Sequence, residues 1–302
     1  RCVIAAQGRP LIDFALRRTQ GKDAGMMVAR STYIAGFAGT SNMLAGKVYG
    51  MPTSGTMAHS FICAFDSERE AFTAYSETHP QNTILLIDTF DTLEGAHRAV
   101  QVAQVLKKRG HSLNGVRLDS GDMIDLSFKV RKILDQSGFS DVKIYASTGF
   151  DEFKIAEAVS KDARIDAFGA GTKVGVSSDA PYVDIVYKLV RFKDRNVRKL
   201  STNKTTLAGQ KQVFRRSARN GRYVEDVIGD RDETIKGCRR LLIKVMSNGR
   251  RVGALNSLQV IRAQFKDNLA DLPKKYKALN KVGDFTVKIS PRLYAQQNSV
   301  HP

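Results

Sequence analysis

Between Thr83 and Thr172 the apolar and polar positions follow two periods in turn. Short β-branched or aliphatic runs at Thr83–Asp88, Gly115–Leu118, Val142–Ala146 and Ile165–Phe168 predict strands. Between them apolar residues recur at three- and four-residue steps, as Leu93, Ala96, Val100, Ala103 and Leu106, then as Leu126, Val130, Ile133 and Leu134. That spacing predicts helices over Thr92–Arg109 and Met123–Gln136, with a third over Asp151–Val159, and Gly110 and Gly138 stop the first two. Strands that alternate with helices imply βα units and a parallel sheet. Such a sheet carries its working loops beyond the strand C-termini, whether it closes into a barrel or stays open and doubly wound, and spacing alone does not separate the two.

The flanks are less regular. Pro10–Leu16 and Ser31–Ala38 are expected to be helical, and Lys47–Pro52 is expected to be a short strand leading into the loop Ser54-Gly55-Thr56-Met57-Ala58-His59-Ser60-Phe61. After Thr172 a glycine-bounded linker leads to a strand-like run, Tyr182–Phe192. The remainder predicts a small α+β domain, with turns at Asn220-Gly221 and Asn248-Gly249 and a helix at Ser257–Leu269.

Charge sharpens this division. Residues 1–187 hold 21 Lys+Arg and 21 Asp+Glu, and residues 188–302 hold 27 and 9, so the whole excess of +18 lies in the last third. We therefore expect a catalytic α/β domain over 1–187 and a basic α+β domain over 188–302. A basic block of this kind attracts polyphosphate substrates or nucleic acid. At 302 residues and 42% hydrophobic content the chain can build real cores, and no apolar run approaches the roughly 18 residues a membrane span needs. Three cysteines without metal-type spacing fit a reducing cytoplasm. The chain begins with arginine rather than methionine, from which we expect a missing N-terminal piece.

Candidate chemistry gathers at the predicted strand ends. His59, among Gly, Thr and Ser, could be a general base, a metal ligand or a phosphate acceptor, and Asp88 is expected to fix its tautomer by accepting a ring proton. Arg117 and Asp119 lie two apart on a strand and so point the same way. One suits an anionic substituent or phosphate, the other ribose hydroxyls or magnesium. Gly169-Ala170-Gly171-Thr172 and Ser147-Thr148-Gly149 are expected to be anion nests. Phe14 and Arg17, read as one helix face, could stack an aromatic ring and clamp an anion, whereas Arg18 is expected to be a solvated surface residue. No Cys/His cluster supports a zinc site.

Taken together, Asp13-Phe14-Ala15-Leu16-Arg17-Arg18-Thr19-Gln20-Gly21, Gly39-Thr40-Ser41-Asn42, Gly55-Thr56-Met57-Ala58-His59-Ser60, Val116-Arg117-Leu118-Asp119-Ser120-Gly121-Asp122 and Gly169-Ala170-Gly171-Thr172 resemble nicotinate phosphoribosyltransferase, from about Ala5 to Arg216. The resemblance implies an irregular TIM-like α/β barrel of the type II phosphoribosyltransferases, with an incomplete second α+β sandwich domain. It implies transfer of a phosphoribosyl group from 5-phosphoribosyl 1-diphosphate to nicotinate in NAD biosynthesis, with magnesium, and with ATP hydrolysed through a phosphohistidine.

On that resemblance His59 would be the acceptor, Asp88 its orienting partner and Asp119 the ribose ligand. Phe14 and Arg17 would hold the pyridine nucleotide, and Arg117 the carboxylate or phosphates. Ser147, Thr148, Gly171 and Thr172 would cradle the 5′-phosphate, and Thr56, Gly149 and Gly169 would complete the substrate contacts. Ser41 stands where the similar nicotinamide enzyme carries aspartate, which favours nicotinate by removing a repulsion. A cytoplasmic homodimer with a shared active site is implied, and no membrane. Nicotinamide transfer, or polyanion binding by a non-catalytic member, are the alternatives, and family members need no nucleic acid partner.

Overall fold

The computed structural model describes residues 1–280 and 283–300. By internal contacts the chain divides into a first unit, Arg1–Pro181 with Leu258–Arg262, and a second, Tyr182–Ser257 with Ala263–Pro302. The charge-based reading put its division at 187/188.

The first unit runs α1 (Cys2–Ala5), β1 (Leu11–Asp13), α2 (Lys22–Ala35), β2 (Gly39–Thr40), α3 (Met43–Tyr49), α4 (His59–Cys63), α5 (Glu68–Thr78), β3 (Thr83–Leu86), α6 (Thr92–Lys108), β4 (Leu113–Leu118), α7 (Met123–Gln136), β5 (Lys143–Ala146), α8 (Glu152–Ser160), β6 (Ala167–Ala170) and α9 (Thr172–Gly175). Its six strands form one sheet in the order β2-β1-β6-β5-β4-β3, and every neighbouring pair is parallel. This is an α/β fold. A sheet of this kind is covered on both faces, so its strands read as apolar runs. Leu85, Leu86, Ile87, Leu118, Ile144 and Phe168 are all fully buried.

Acidic caps start the helices that follow the strands. Asp91, Asp122 and Asp151 each accept two backbone N–H bonds at the heads of α6, α7 and α8, which satisfies donors that a helix leaves open. Helix α6 rides directly on the sheet: a Cβ at Gly95 would lie 2.0 Å from the carbonyl oxygen of Ile87. That contact seats the backbone one residue before Asp88.

Three expectations on the N-terminal flank are corrected. Residues 11–13 are a strand, not part of a helix, because the run is buried throughout and lies between β2 and β6. The helix expected at Ser31–Ala38 starts at Lys22 and ends at Ala35, with Gly36 at φ 124°. The strand expected at Lys47–Pro52 does not form: Lys47–Tyr49 finish a helix that starts at Met43, where the Asn42 side chain accepts the N–H of Ala45 as a cap, and Gly50 ends it.

The second unit continues with β7 (Arg191–Phe192), β8 (Arg195–Asn196), β9 (Lys211–Ser217), β10 (Tyr223–Asp230), β11 (Cys238–Arg240), β12 (Met246–Ser247) and β13 (Arg250–Arg251). Next come α10 (Leu258–Asp271), whose first turn belongs to the first unit, then β14 (Val287–Ile289) and α11 (Pro291–Asn298). A four-stranded sheet, β11-β9-β10-β14, is antiparallel except for β10 with β14. Asn248 and Gly249 both take positive φ in the β12–β13 turn, as that dipeptide favours. Of the strand-like run Tyr182–Phe192, only Arg191–Phe192 pairs. Among the described residues no helix is long and apolar enough to cross a membrane.

Candidate active site

Because the six strands are parallel, their C-terminal ends share one edge, and the polar residues of the sequence gather there. The edge carries a cleft of about 430 Å³ lined by Phe14, Leu16, Arg17, Arg18, Ser41, Gly55, Thr56, Arg117, Asp119, Ser147, Thr148, Gly149, Gly169, Gly171 and Thr172. All eleven expected substrate-contact residues and Asp119 therefore face one space. His59 and Asp88 do not line it.

Asp119 is the junction. Its Oδ1 accepts the Ser147 hydroxyl at 2.8 Å, and its Oδ2 lies 3.5 Å from Arg117 and 3.6 Å from His59 Nε2. Arg117 also donates to Thr56 Oγ1, which ties the end of β4 to the loop before His59. Its Nε is buried without a partner. Three chain segments are thus pinned around one carboxylate.

His59 opens α4 with its side chain 42% exposed. Its Nδ1 meets Thr89 Oγ1 at 3.1 Å, leaving Nε2 turned to Asp119. The expected bond to Asp88 is not made. Asp88 instead accepts the Asp119 backbone N–H at 2.9 Å and the Ser120 hydroxyl at 2.5 Å, both on Oδ2. It is buried, and its Oδ1 has no partner. Asp88 lies just beyond β3, and because β3 pairs with β4 its carboxylate meets the turn that follows β4.

The aromatic wall also differs from its expected form. Phe14 and Arg17 do not share an α-helix: Phe14 follows β1, and Arg17 lies in a single 3₁₀ turn, Leu16–Arg18. Glycine at 169 leaves room for the ring, since a Cβ there would lie 2.5 Å from two Phe14 ring carbons and 2.8 Å from Ser147 Cβ. Gly169 thus forms the floor under an aromatic side chain. The Arg117 guanidinium sits 5.8 Å from the Phe14 ring centroid, a cation–π contact.

Arg18, expected to be a solvated residue, lines the cleft as well, as do Leu16 and Gly55. All three residues of the 3₁₀ turn, Leu16, Arg17 and Arg18, line the cleft, which helical periodicity could not foresee. Behind the wall Asp13 is almost wholly buried, and burial raises its carboxyl above the usual range although Thr40 and Ala15 both donate to it.

The description "Nicotinate phosphoribosyltransferase (NAPRTase) family" belongs to a sequence model that matches residues 10–223, and that of the family's C-terminal domain matches 234–297. The chain belongs to the nicotinate phosphoribosyltransferase family. It is 42% identical over 298 residues to a curated nicotinate phosphoribosyltransferase of Mycobacterium tuberculosis, covering 98% of this chain and 64% of that protein. To the Bacillus subtilis enzyme it is 41% identical over 240 residues, 76% of this chain and 48% of that one. The chain thus spans under two thirds of the length of these family members. Its fold is that of the human nicotinic acid phosphoribosyltransferase crystal structure, with a TM-score of 0.81 and 24% identity over 98% of this chain and 71% of that one. A crystal structure titled nicotinate-nucleotide pyrophosphorylase from Pyrococcus furiosus superposes with a TM-score of 0.74 at 27% identity, over 89% and 68%.

Proposed function

We propose that this chain carries the site for phosphoribosyl transfer to nicotinate: the pyridine nitrogen attacks C1 of 5-phosphoribosyl 1-diphosphate, the C1–oxygen bond breaks, and diphosphate leaves. The observation that carries this reading is the convergence on one cleft of a flat ring, three arginines and hydroxyl and backbone donors, drawn from six segments between Phe14 and Thr172. Phe14 stacks the pyridine, and Arg117 holds its carboxylate. Ser41, a neutral donor lining the same cleft, suits a carboxylate better than an aspartate would, so nicotinate is favoured over nicotinamide. Thr148, Gly171 and Thr172 face the 5′-phosphate. Asp119 accepts from the ribose hydroxyls.

Magnesium fits this donor set. It binds one or two carboxylates together with substrate phosphates rather than a full protein cage, and Asp119 supplies a hard oxygen in the cleft. When bound, it neutralises charge on the diphosphate. His59 is the proposed phosphoryl acceptor from ATP through Nε2, because Nδ1 is engaged by Thr89. The six-stranded sheet is read as the arc of an irregular TIM-like barrel, and a cytoplasmic homodimer with a shared site completes the reading.

The test is incubation of the purified chain with labelled nicotinate, phosphoribosyl diphosphate and magnesium, with and without ATP. Nicotinate mononucleotide should form, and more of it with ATP. Labelling from γ-phosphate-labelled ATP should disappear in His59→Ala. No mononucleotide under any condition removes the transfer reading, and a label that survives His59→Ala removes the phosphohistidine.

A further inference from the structure

Asp13 and Thr40 lie outside the cleft, yet three of its walls hang from them. They face each other in the β1–β2 register, and the Thr40 hydroxyl donates to Asp13 Oδ2 at 2.7 Å. Asp13 Oδ1 accepts the N–H of Ala15 at 2.8 Å, its backbone carbonyl accepts that of Ser41 at 2.8 Å, and the Thr40 hydroxyl accepts that of Asn42 at 3.0 Å. The Thr40 carbonyl accepts the N–H of Ser54 at 3.0 Å. Asp13 is 1% exposed, Thr40 is 0% and Asn42 is 2%. The pair therefore fixes, from behind, the turn that carries Phe14 and Arg17, the turn that carries Ser41, and the loop that carries Gly55 and Thr56.

No cation pairs with Asp13 among the described residues, so this carboxylate is held by neutral donors alone. A buried acceptor held in this way has few alternative arrangements, because leaving it unmet carries its full desolvation cost. The resulting geometry is stiff. Two groups that meet the ring and its substituent, Phe14 and Ser41, are thereby set at one spacing.

We propose that Asp13 and Thr40 are positioning residues that set the spacing between the Phe14 wall and the Ser41 wall, and through it the choice of pyridine substituent. Neither touches substrate. The inference rests on the reading of the cleft as a pyridine site, and it adds that selectivity depends on residues no ligand meets.

The test compares Thr40→Val, which keeps the shape and removes the hydroxyl, with Thr40→Ser, which keeps the hydroxyl, and with Asp13→Asn. Thr40→Val should raise the KM for nicotinate by about tenfold with a smaller change in kcat, and lower the preference for nicotinate over nicotinamide. Thr40→Ser should restore both. Asp13→Asn, which still accepts from Ala15, should fall between and serves if Thr40→Val does not fold. A Thr40→Val protein with wild-type KM and preference overturns the inference, as does a Thr40→Ser protein equally impaired. Should the wild-type chain make no mononucleotide, the transfer reading fails first, and crystal structures of wild type and Thr40→Val then decide: Phe14 and Ser41 shifted relative to Arg117 support the positioning pair, and superposed walls overturn it.

Discussion

The parallel sheet of the first unit and the four-stranded sheet of the second use backbone and charge in opposite ways. In the parallel sheet β3 and β6 are buried along their whole length, every strand ends on the same edge, and Asp13, Asp88 and Asp119 near that edge each accept from neutral donors, Asp119 from Arg117 as well. In the second unit β14 is exposed along its length, and Tyr187 and Ile243 stand 99% and 79% exposed. There the carboxylates pair with arginine and lysine, as Asp226 does with Arg215 and Glu225 with Lys288 and Arg216. The first arrangement builds a precise cleft at the cost of sensitivity to shape. The second tolerates change at its surface.

The sharpest way to break that contrast is to fill the floor of the cleft. Gly169→Val puts branched carbons where the Phe14 ring and Ser147 Cβ already stand. Product formation should fall by at least about 100-fold, while unfolding free energy drops by only about 1–3 kcal/mol. Steady-state kinetics and urea unfolding on the same preparation check both. Retained activity would mean that the ring is free to move and that the cleft is not stiff.

Next in size is the clasp at the end of α2. Arg262, in the turn of α10 that belongs to the first unit, donates to the carbonyls of Tyr33, Gly36 and Phe37 and stacks 4.4 Å from the Tyr33 ring centroid. Nearby Leu258 packs into a cluster with Met26, Ala29, Ala45 and Met51. Arg262→Met keeps the stem and removes every donor, so we expect a loss of about 2–4 kcal/mol, read as a lowered urea midpoint. A loss under about 0.5 kcal/mol would show that water replaces the guanidinium freely.

Those two sites also mark what the sequence can and cannot disclose. The βα cadence from Thr83 onward is readable because strong apolar periods coincide with acidic caps at Asp91, Asp122 and Asp151. The cleft residues are readable because parallel strands deliver them to one edge. Leu11–Asp13 misleads, since three buried residues beside Phe14 and Leu16 look helical until β2 and β6 are known to flank them. The Asp88 reading fails for a related reason: spacing identifies a carboxylate at a strand end, but not which neighbouring turn donates to it. Arg262 is beyond any local pattern, because its partners lie more than two hundred residues away.

Acid separates the two sheets more gently, although Asp151 in the first unit, held low against burial by the Lys154 N–H and Lys173, follows the pattern of the second. Burial holds Asp13 above the usual carboxyl range, and it does so for Glu68 despite the ion pair with Arg98. A carboxyl raised in the folded state binds its proton more readily folded than unfolded. Through the window between its unfolded and folded values, these two groups therefore add stability as pH falls and lose it as pH rises. In the second unit Lys288 holds Glu225 low, and at Asp230 burial is outweighed by the Asp232 N–H, Gln296 and Arg292. Those groups contribute stability above their unfolded values and lose it as pH falls through the folded ones. Hydrogen exchange from pH 5 to pH 3 should show β9 and β10 losing protection before β1 and β6. The reverse order would place the acid-sensitive contacts in the wrong unit.

The smallest effect is expected where the surface is most apolar. Tyr187→Lys and Ile243→Lys alter side chains that are almost wholly solvent-exposed, so the lost burial is slight and each should move unfolding free energy by no more than about 0.5 kcal/mol. Neither lies in the cleft, so product formation should hold. Solubility should rise, because an exposed aliphatic or aromatic residue invites association that an added charge opposes. A large fall in stability on either change would show that these side chains are covered in solution, and the contrast between a rigid parallel sheet and a permissive second unit would then fail on the permissive side.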